Sequence, residues 1–156
     1  MKHFTFDRVL NVALLAAVVY GIAAVRPGSR TPPPTYAHGE QAPAIAGVSY
    51  AGAKRTAVLF VRSSCHFCTE SMPFYRDLVK GGGRLIAIGP EPPEALLGYL
   101  EEHDLAVRGV TIGRGSWPKL TGTPTLIIVD GSGRVERTWV GTVPENEQSI
   151  VRELLQ

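Results

Sequence analysis

Apolar residues in this chain come in blocks separated by glycine, proline and charge, and the internal spacing differs from block to block. Val9 to Val25 (VLNVALLAAVVYGIAAV) is apolar apart from Asn11 and Tyr20. A helix without a polar face suits lipid better than the surface of a small domain. As a helix, these 17 residues would span about 25 Å at about 1.5 Å per residue, a little short of a hydrocarbon layer of about 30 Å. Phe4, Phe6 and the long stems of Arg8 and Arg26 flank the run and extend its reach. The run is longer than the apolar region of a cleaved signal peptide, about 7–15 residues. Its small-residue site, Gly21-Ile22-Ala23, lies inside it. We read residues 1–26 as a retained membrane anchor, with a signal peptide as the alternative. Lys2 and Arg8 on one side balance Arg26 and Arg30 on the other, so flanking charge does not set the orientation.

Pro27 to Pro43 is rich in Pro, Gly, Ser and Thr. Pro32-Pro33-Pro34 favours an extended polyproline spacer. Residues 27–45 are therefore expected to form a linker, with an ordered arm on the domain as the alternative for its last few residues. The remaining chain, 46–156, is long enough for one compact core.

Within that region the blocks are short and β-branched, or amphipathic. Thr56–Arg62, Arg84–Ile88 and Thr125–Val129 are continuous apolar runs of the kind found in buried strands. Val107–Ile112 is expected as a shorter strand. Arg134–Val140 alternates as the return strand of a hairpin whose turn is Asp130-Gly131-Ser132-Gly133. Helices are expected from Cys65 or His66 to Val79, stopped by Gly81-Gly82-Gly83, from Pro92 or Pro93 with Leu96, Leu97 and Leu100 inward, and from Pro144 with Ile150, Val151, Leu154 and Leu155 inward. Ser116–Leu120 is expected as one further helical turn. The alternation of strands and helices predicts an α/β domain, a mixed central sheet flanked by helices on both faces.

Composition adds two exclusions. The chain has 156 residues, 44% hydrophobic and 19% charged, which fits a folded protein and not a disordered one. Its formal net charge of +2 is spread without a basic cluster, so nucleic acid is not an expected partner.

Both cysteines, Cys65 and Cys68, fall within one turn of the second block. Disulfides that staple a small domain close long loops; a loop this short adds little entropic stability, so the pair points to reactivity. It sits where a strand feeds a helix. There the unpaired backbone N–H groups and the helix dipole stabilise an anion on the first thiol. Residues i and i+3 of a helix face one another closely enough to bridge. Cys65, at the exposed end, is the expected attacking thiol, and Cys68, one turn in, the resolving one.

The segment VLFVRSSCHFCTESMPFY resembles the active-site region of the thioredoxin superfamily, above all its membrane-anchored TlpA/ResA-like thiol–disulfide oxidoreductases. Pro73, five residues after Cys68, matches their helix-kinking proline, and Thr123-Pro124 before the TLIIV strand is similar to their cis-proline loop. The resemblance covers 46–156. It implies a thioredoxin-like fold, a loop at Thr123 and Pro124 packed against the cysteines, and a Thr123 backbone that receives substrate as an added strand. It also implies an extracytoplasmic domain that exchanges disulfides with protein thiol substrates, commonly as a reductase, and is recharged by an upstream redox partner. No cofactor or metal is expected, and a monomer is.

The chain departs from that pattern at four places. Leu59 stands where thioredoxins carry a buried acid, and Ser71 where ResA-type proteins carry a glutamate, with Glu70 turned about 100° away. Ser64 replaces the tryptophan before the first cysteine, and His66-Phe67 separates the cysteines. A cationic His66 beside the Cys65 thiolate would make the pair more oxidising; Phe67 is a candidate partner contact and Trp117 a candidate lining of the substrate groove. Trp139 alternates into the core as a structural residue. The interval from Cys68 to Pro124 is too short for the helical insertion of DsbA-like oxidases, which favours the reductase branch. A copper or zinc site using both cysteines and one of His3, His38, His66 or His103 is the alternative from another class, and a more oxidising, disulfide-forming protein is the alternative within this one. Covalent haem would need a histidine where Thr69 stands.

Overall fold

A computed structural model describes residues 14–15, 35–113 and 115–156. The chain divides into two units, 1–33 and 34–156. Of the first, only Leu14 and Leu15 are described; they are helical, with exposed side chains. The rest of the expected anchor, and residues 27–34 of the expected linker, lie outside the described residues. Among the described residues no helix is long and apolar enough to cross a membrane.

The second unit is built on a five-stranded mixed sheet of order β3-β2-β1-β4-β5. Its strands are β1 (Arg55–Phe60), β2 (Leu85–Gly89), β3 (Arg108–Thr111), β4 (Thr125–Asp130) and β5 (Val135–Val140). β1, β2 and β3 run parallel, while β4 pairs antiparallel with both β1 and β5. The three continuous apolar runs are the three central strands, buried on both faces, which is why they lack alternation. At the β4–β5 turn the Asp130 carboxylate accepts the N–H groups of Ser132 and Arg134 at 2.8 and 2.9 Å.

Helix α1 (His66–Lys80) follows β1, α2 (Pro93–Glu102) follows β2, and α3 (Glu145–Leu155) closes the chain. The glycine run ends α1 as expected: Gly83 N–H donates to the Leu78 carbonyl and Gly82 N–H to that of Val79, with Gly82 at φ +88°. These paired bonds and the left-handed residue between them make a Schellman ending.

The sheet is covered differently from the expectation. Ala57, Leu59 and Val61 of the β1 region share one apolar cluster with all three helices, through Met72, Tyr75 and Leu78, Leu96 and Leu100, and Val151. The two crossovers β1–α1–β2 and β2–α2–β3 step in the same direction, and crossovers of one hand then leave both helices on one face. The other face, carrying Val58, Phe60, Ile86, Ile88, Ile127 and Val129, is closed by Tyr36, Ala42, Ile45 and Trp117. Residues 35–45, which composition places in the linker, thus pack onto the domain, and Gln41 bridges Arg134 as a short edge pairing.

Three local expectations are corrected. Ser116–Leu120 forms no helical turn; Ser116 N–H bonds the Gly113 carbonyl and Leu120 N–H that of Trp117 as separate turns, between Gly115 at φ +84° and Pro118. On α2, Tyr99 is buried with Leu96 and Leu100, while Leu97 is 44% exposed because it falls one residue off the inward stripe. On α3 only Val151 is fully buried; Leu154 and Leu155 pack at the edge and Ile150 is half-buried. Trp139 is buried as expected and donates its Nε1–H to Glu147 Oε2 at 2.7 Å, tying β5 to α3.

Candidate active site at the cysteine pair

The site grows out of the end of β1. Val61 N–H still bonds the Ile88 carbonyl, and Cys65 N–H then bonds the Arg62 carbonyl at 3.1 Å, turning the chain into α1. The turn is pinned from the side by Glu91, whose carboxylate accepts the Ser63 N–H at 3.0 Å. Cys65 is the N-cap of α1 in extended conformation, the geometry that leaves its side chain over the first N–H groups. Its Sγ accepts the Cys68 N–H at 3.2 Å. Cys68 lies one turn in and is fully buried, whereas Cys65 is half-buried; both are free thiols. Pro73 falls inside α1.

Across from Cys65 comes the loop before β4. The Thr123–Pro124 peptide is cis, and the Cys65 thiol donates to the Thr123 carbonyl at 3.4 Å. Fifty-eight positions of sequence separate these two residues, so the sheet, through the β1–β4 pairing, brings them together.

Burial pushes the Cys65 thiol up, but hydrogen bonds from the Cys68 thiol, the Thr123 side chain and the backbone N–H groups of Cys68 and Phe67 outweigh it, leaving its pKa below the ordinary value. Cys68 moves the opposite way, raised by burial first and then by its hydrogen bond to Cys65. One thiol is thus poised to ionise and its neighbour to stay protonated. Because the Cys65 pKa is lowered on folding, the stability this contributes is fully present above the unfolded thiol's pKa and is lost as pH falls through the folded value. Alkylation of the reduced protein by iodoacetamide, followed against pH, is expected to show Cys65 reacting with a midpoint below the free-cysteine value of about 8.5. A midpoint at or above that value would remove the activated thiol.

His66 and Phe67 stand exposed between the cysteines, Phe67 at 58%. His66 Nε2 lies 3.0 Å from Glu70 Oε1, one turn along the surface, and is not among the groups that lower the Cys65 pKa. Trp117 is buried edge-on against Tyr36 and lines a cavity of about 130 Å³ with Phe60, Arg62 and Leu120. Thr123 lines an adjoining cavity of about 170 Å³ that shares those three residues. Among the described residues no three His, Cys, Asp or Glu side chains converge as a metal site would need.

Three nearby residues escaped the reading of the sequence. Glu91 holds the turn before Cys65. Tyr75 and Tyr99 are buried beneath the pair in the same apolar cluster as Cys68. For Tyr75 a signal was present, since its position seven residues after Cys68 places it two turns on along the same helix face; for Glu91 and Tyr99, on other elements, there was none.

The sequence matches no family model and no curated protein. Solved structures do match. A thiol:disulfide interchange protein of the thioredoxin family from Chlorobium tepidum is 20% identical over 77% of this chain and 99% of its own, with a TM-score of 0.61. The thioredoxin domain of a thiol–disulfide oxidoreductase from Bacteroides vulgatus is 20% identical over 78% of this chain and all of its own (100%), at 0.60. A secreted disulfide oxidoreductase of Mycobacterium tuberculosis, described as homologous to E. coli DsbE, is 13% identical over 65% and 80%, at 0.53. The fold of this chain is accordingly the thioredoxin-like fold of these thiol–disulfide interchange proteins.

Proposed function

We propose that the chain is a thiol–disulfide oxidoreductase of the TlpA/ResA-like kind, held to a membrane by residues 1–26 and reducing exported proteins through Cys65 and Cys68. The observation that carries this is the asymmetry of the pair: an accessible, acidified Cys65 capping α1, with a buried, proton-retaining Cys68 one turn behind it. A thiolate is the nucleophile in disulfide exchange, and a second thiol within reach completes the transfer.

In the forward reaction the Cys65 thiolate attacks a substrate disulfide, forming a Cys65–substrate bond and releasing one substrate sulfur, which takes a proton from solvent. Cys68 then attacks Cys65 and frees the second substrate sulfur. The substrate disulfide is reduced to two thiols, and Cys65 and Cys68 become a disulfide for an upstream partner to reduce. Thr123 and Pro124 border Cys65 where a substrate strand would lie, with Trp117 behind them, and Phe67 offers an apolar contact.

A reducing role is supported by two features. No helix intervenes between β3 and β4 among the described residues, unlike the insertion of DsbA-like oxidases. His66, whose charge would favour the oxidising direction, is engaged by Glu70. The apolar run 9–25 and the proline-rich segment after it support an extracytoplasmic domain on a tether, and the mycobacterial structure is of a secreted protein.

The test is reduction of insulin with dithiothreitol as electron source. The protein is expected to accelerate precipitation of the B chain and Cys65→Ser to show none of that acceleration; a rate equal to dithiothreitol alone for the wild type overturns the proposal. The reduction potential of the pair is expected near thioredoxin's, about −270 mV, and not near that of DsbA, about −120 mV.

A further inference from the structure

Among the described residues every arginine but one has its guanidinium held. A carboxylate holds Arg55 and Arg76, backbone carbonyls hold Arg84, Arg108 and Arg134, and aromatic rings lie under Arg137 and Arg152. The exception is Arg62, whose side chain is exposed and makes no hydrogen bond or ion pair with any described residue. A guanidinium stays charged at every physiological pH and carries five N–H donors in a planar fork. At Arg62 that fork faces no partner within the chain.

Its position gives the vacancy a use. The Arg62 carbonyl accepts the Cys65 N–H at 3.1 Å, closing a turn over Ser63 and Ser64, and the ends of such a turn lie within about 7 Å of each other. Arg62 is also the charged residue shared by the two cavities beside the cysteines, of about 130 and 170 Å³. Phe60 and Leu120 give both an apolar wall, and Gly122 and Thr123 bound the larger. No described acid lines either one. Glu91, next to Pro90 in the chain, is committed elsewhere: Oε1 takes the Ser63 N–H, and Oε2 packs with Leu96 over Gly89. A recess with one cation and no counter-charge favours an anion, and partial shelter from water limits its screening.

The occupant must also leave Cys65 open to a substrate disulfide. A free anion would compete with the substrate for that space, whereas a carboxylate carried by the substrate fills the recess and presents the sulfur together. We propose that Arg62 is a specificity-determining residue, selecting protein substrates that carry an aspartate or glutamate close in sequence to the disulfide cysteine. Two residues of extended chain span about 7 Å, the reach of the turn from Arg62 to Cys65. The carboxylate pairs with the guanidinium, its methylenes lie along Phe60 and Leu120, and the sulfur meets Cys65.

This inference rests on the exchange reading above, and one assay separates the two. Short peptides are made with a single cysteine joined by a disulfide to a coloured aromatic thiol. The reduced full-length protein attacks the peptide sulfur through Cys65, forming the Cys65–peptide bond and releasing the coloured thiolate. Glutamate, glutamine or lysine is placed in turn at each of the two positions on either side of the cysteine. At one or more of these positions glutamate is expected to react about fivefold faster than glutamine, as a partly sheltered ion pair implies, with lysine slowest. The ratio should shrink at high salt, fall to about one in Arg62→Gln, and invert toward lysine in Arg62→Glu. Taking the ratio cancels any change in Cys65 itself. Equal rates for the three peptides at every position, a preference that survives Arg62→Gln, or an equal preference for glutamate placed far from the cysteine would overturn the assignment and leave the exchange reading standing. Release no faster than that given by free cysteine would overturn the exchange reading, and this inference with it.

Discussion

Cys68→Ser is expected to convert the protein from a turnover catalyst into a trap. With Cys65 still activated by the start of α1, the variant should attack substrate disulfides and stop there, because the serine hydroxyl at pH 7 cannot displace the bound sulfur. Covalent Cys65–substrate species should then accumulate on non-reducing gels and collapse when dithiothreitol is added. Multiple-turnover reduction should fall by at least about a hundredfold, since the second of two exchange steps is left to external thiols. The variant should fold normally, because serine is close to cysteine in size, although its hydroxyl is buried at a cost of about 1–3 kcal/mol. If Cys68→Ser keeps full turnover, the two thiols do not act in sequence and the assignment of roles fails.

The second large effect concerns the arm. A chain shortened to begin at Ala46 is expected to lose most of its stability, while one beginning at Thr35 keeps it. The shorter chain lacks Tyr36 and Ala42, both almost fully buried, and Ile45, 4% exposed in the intact domain. Burying a side chain of the size of Tyr36 or Ile45 contributes about 1.5–3 kcal/mol, so losing the two removes about 3–6 kcal/mol before edge hydrogen bonds are considered. A domain of this size has about 5–15 kcal/mol in all. Removal also uncovers Val58, Phe60, Ile127 and Val129 of the central strands, an apolar surface large enough to drive association. Urea unfolding of the two chains makes the comparison; equal midpoints would show that the arm is incidental to the fold.

Which parts of this molecule can be read from sequence follows from how local their causes are. The central strands were legible because burial on both faces demands an unbroken apolar run, and Ala57–Val61 and Leu126–Val129 supply one. The end of α1 was legible because three glycines leave no other outcome. The cysteine pair was legible for the same reason, its strand-to-helix setting being written in adjacent residues. What failed was non-local. The face to which each helix docks depends on strand order, which no single block of sequence contains. Residues 35–45 read as linker because Pro, Gly and polar residues outnumber the three side chains, Tyr36, Ala42 and Ile45, that carry the packing. The proximity of Thr123 to Cys65 came only through resemblance. The His66–Glu70 contact could have been anticipated, since the two lie four residues apart on a helix.

The arm has one more bearing on the site. Tyr36 packs against Trp117, and Lys119 reaches Glu40 at 2.5 Å. Both tie the first described stretch of the domain to the segment that runs on into Thr123. Tyr36 is fastened at the same time to β5, its carbonyl accepting the Thr138 hydroxyl at 2.8 Å, so the arm couples that strand to the loop whose carbonyl faces Cys65. The doorway through which a substrate strand would enter and the seat of the arm are therefore held by the same few side chains.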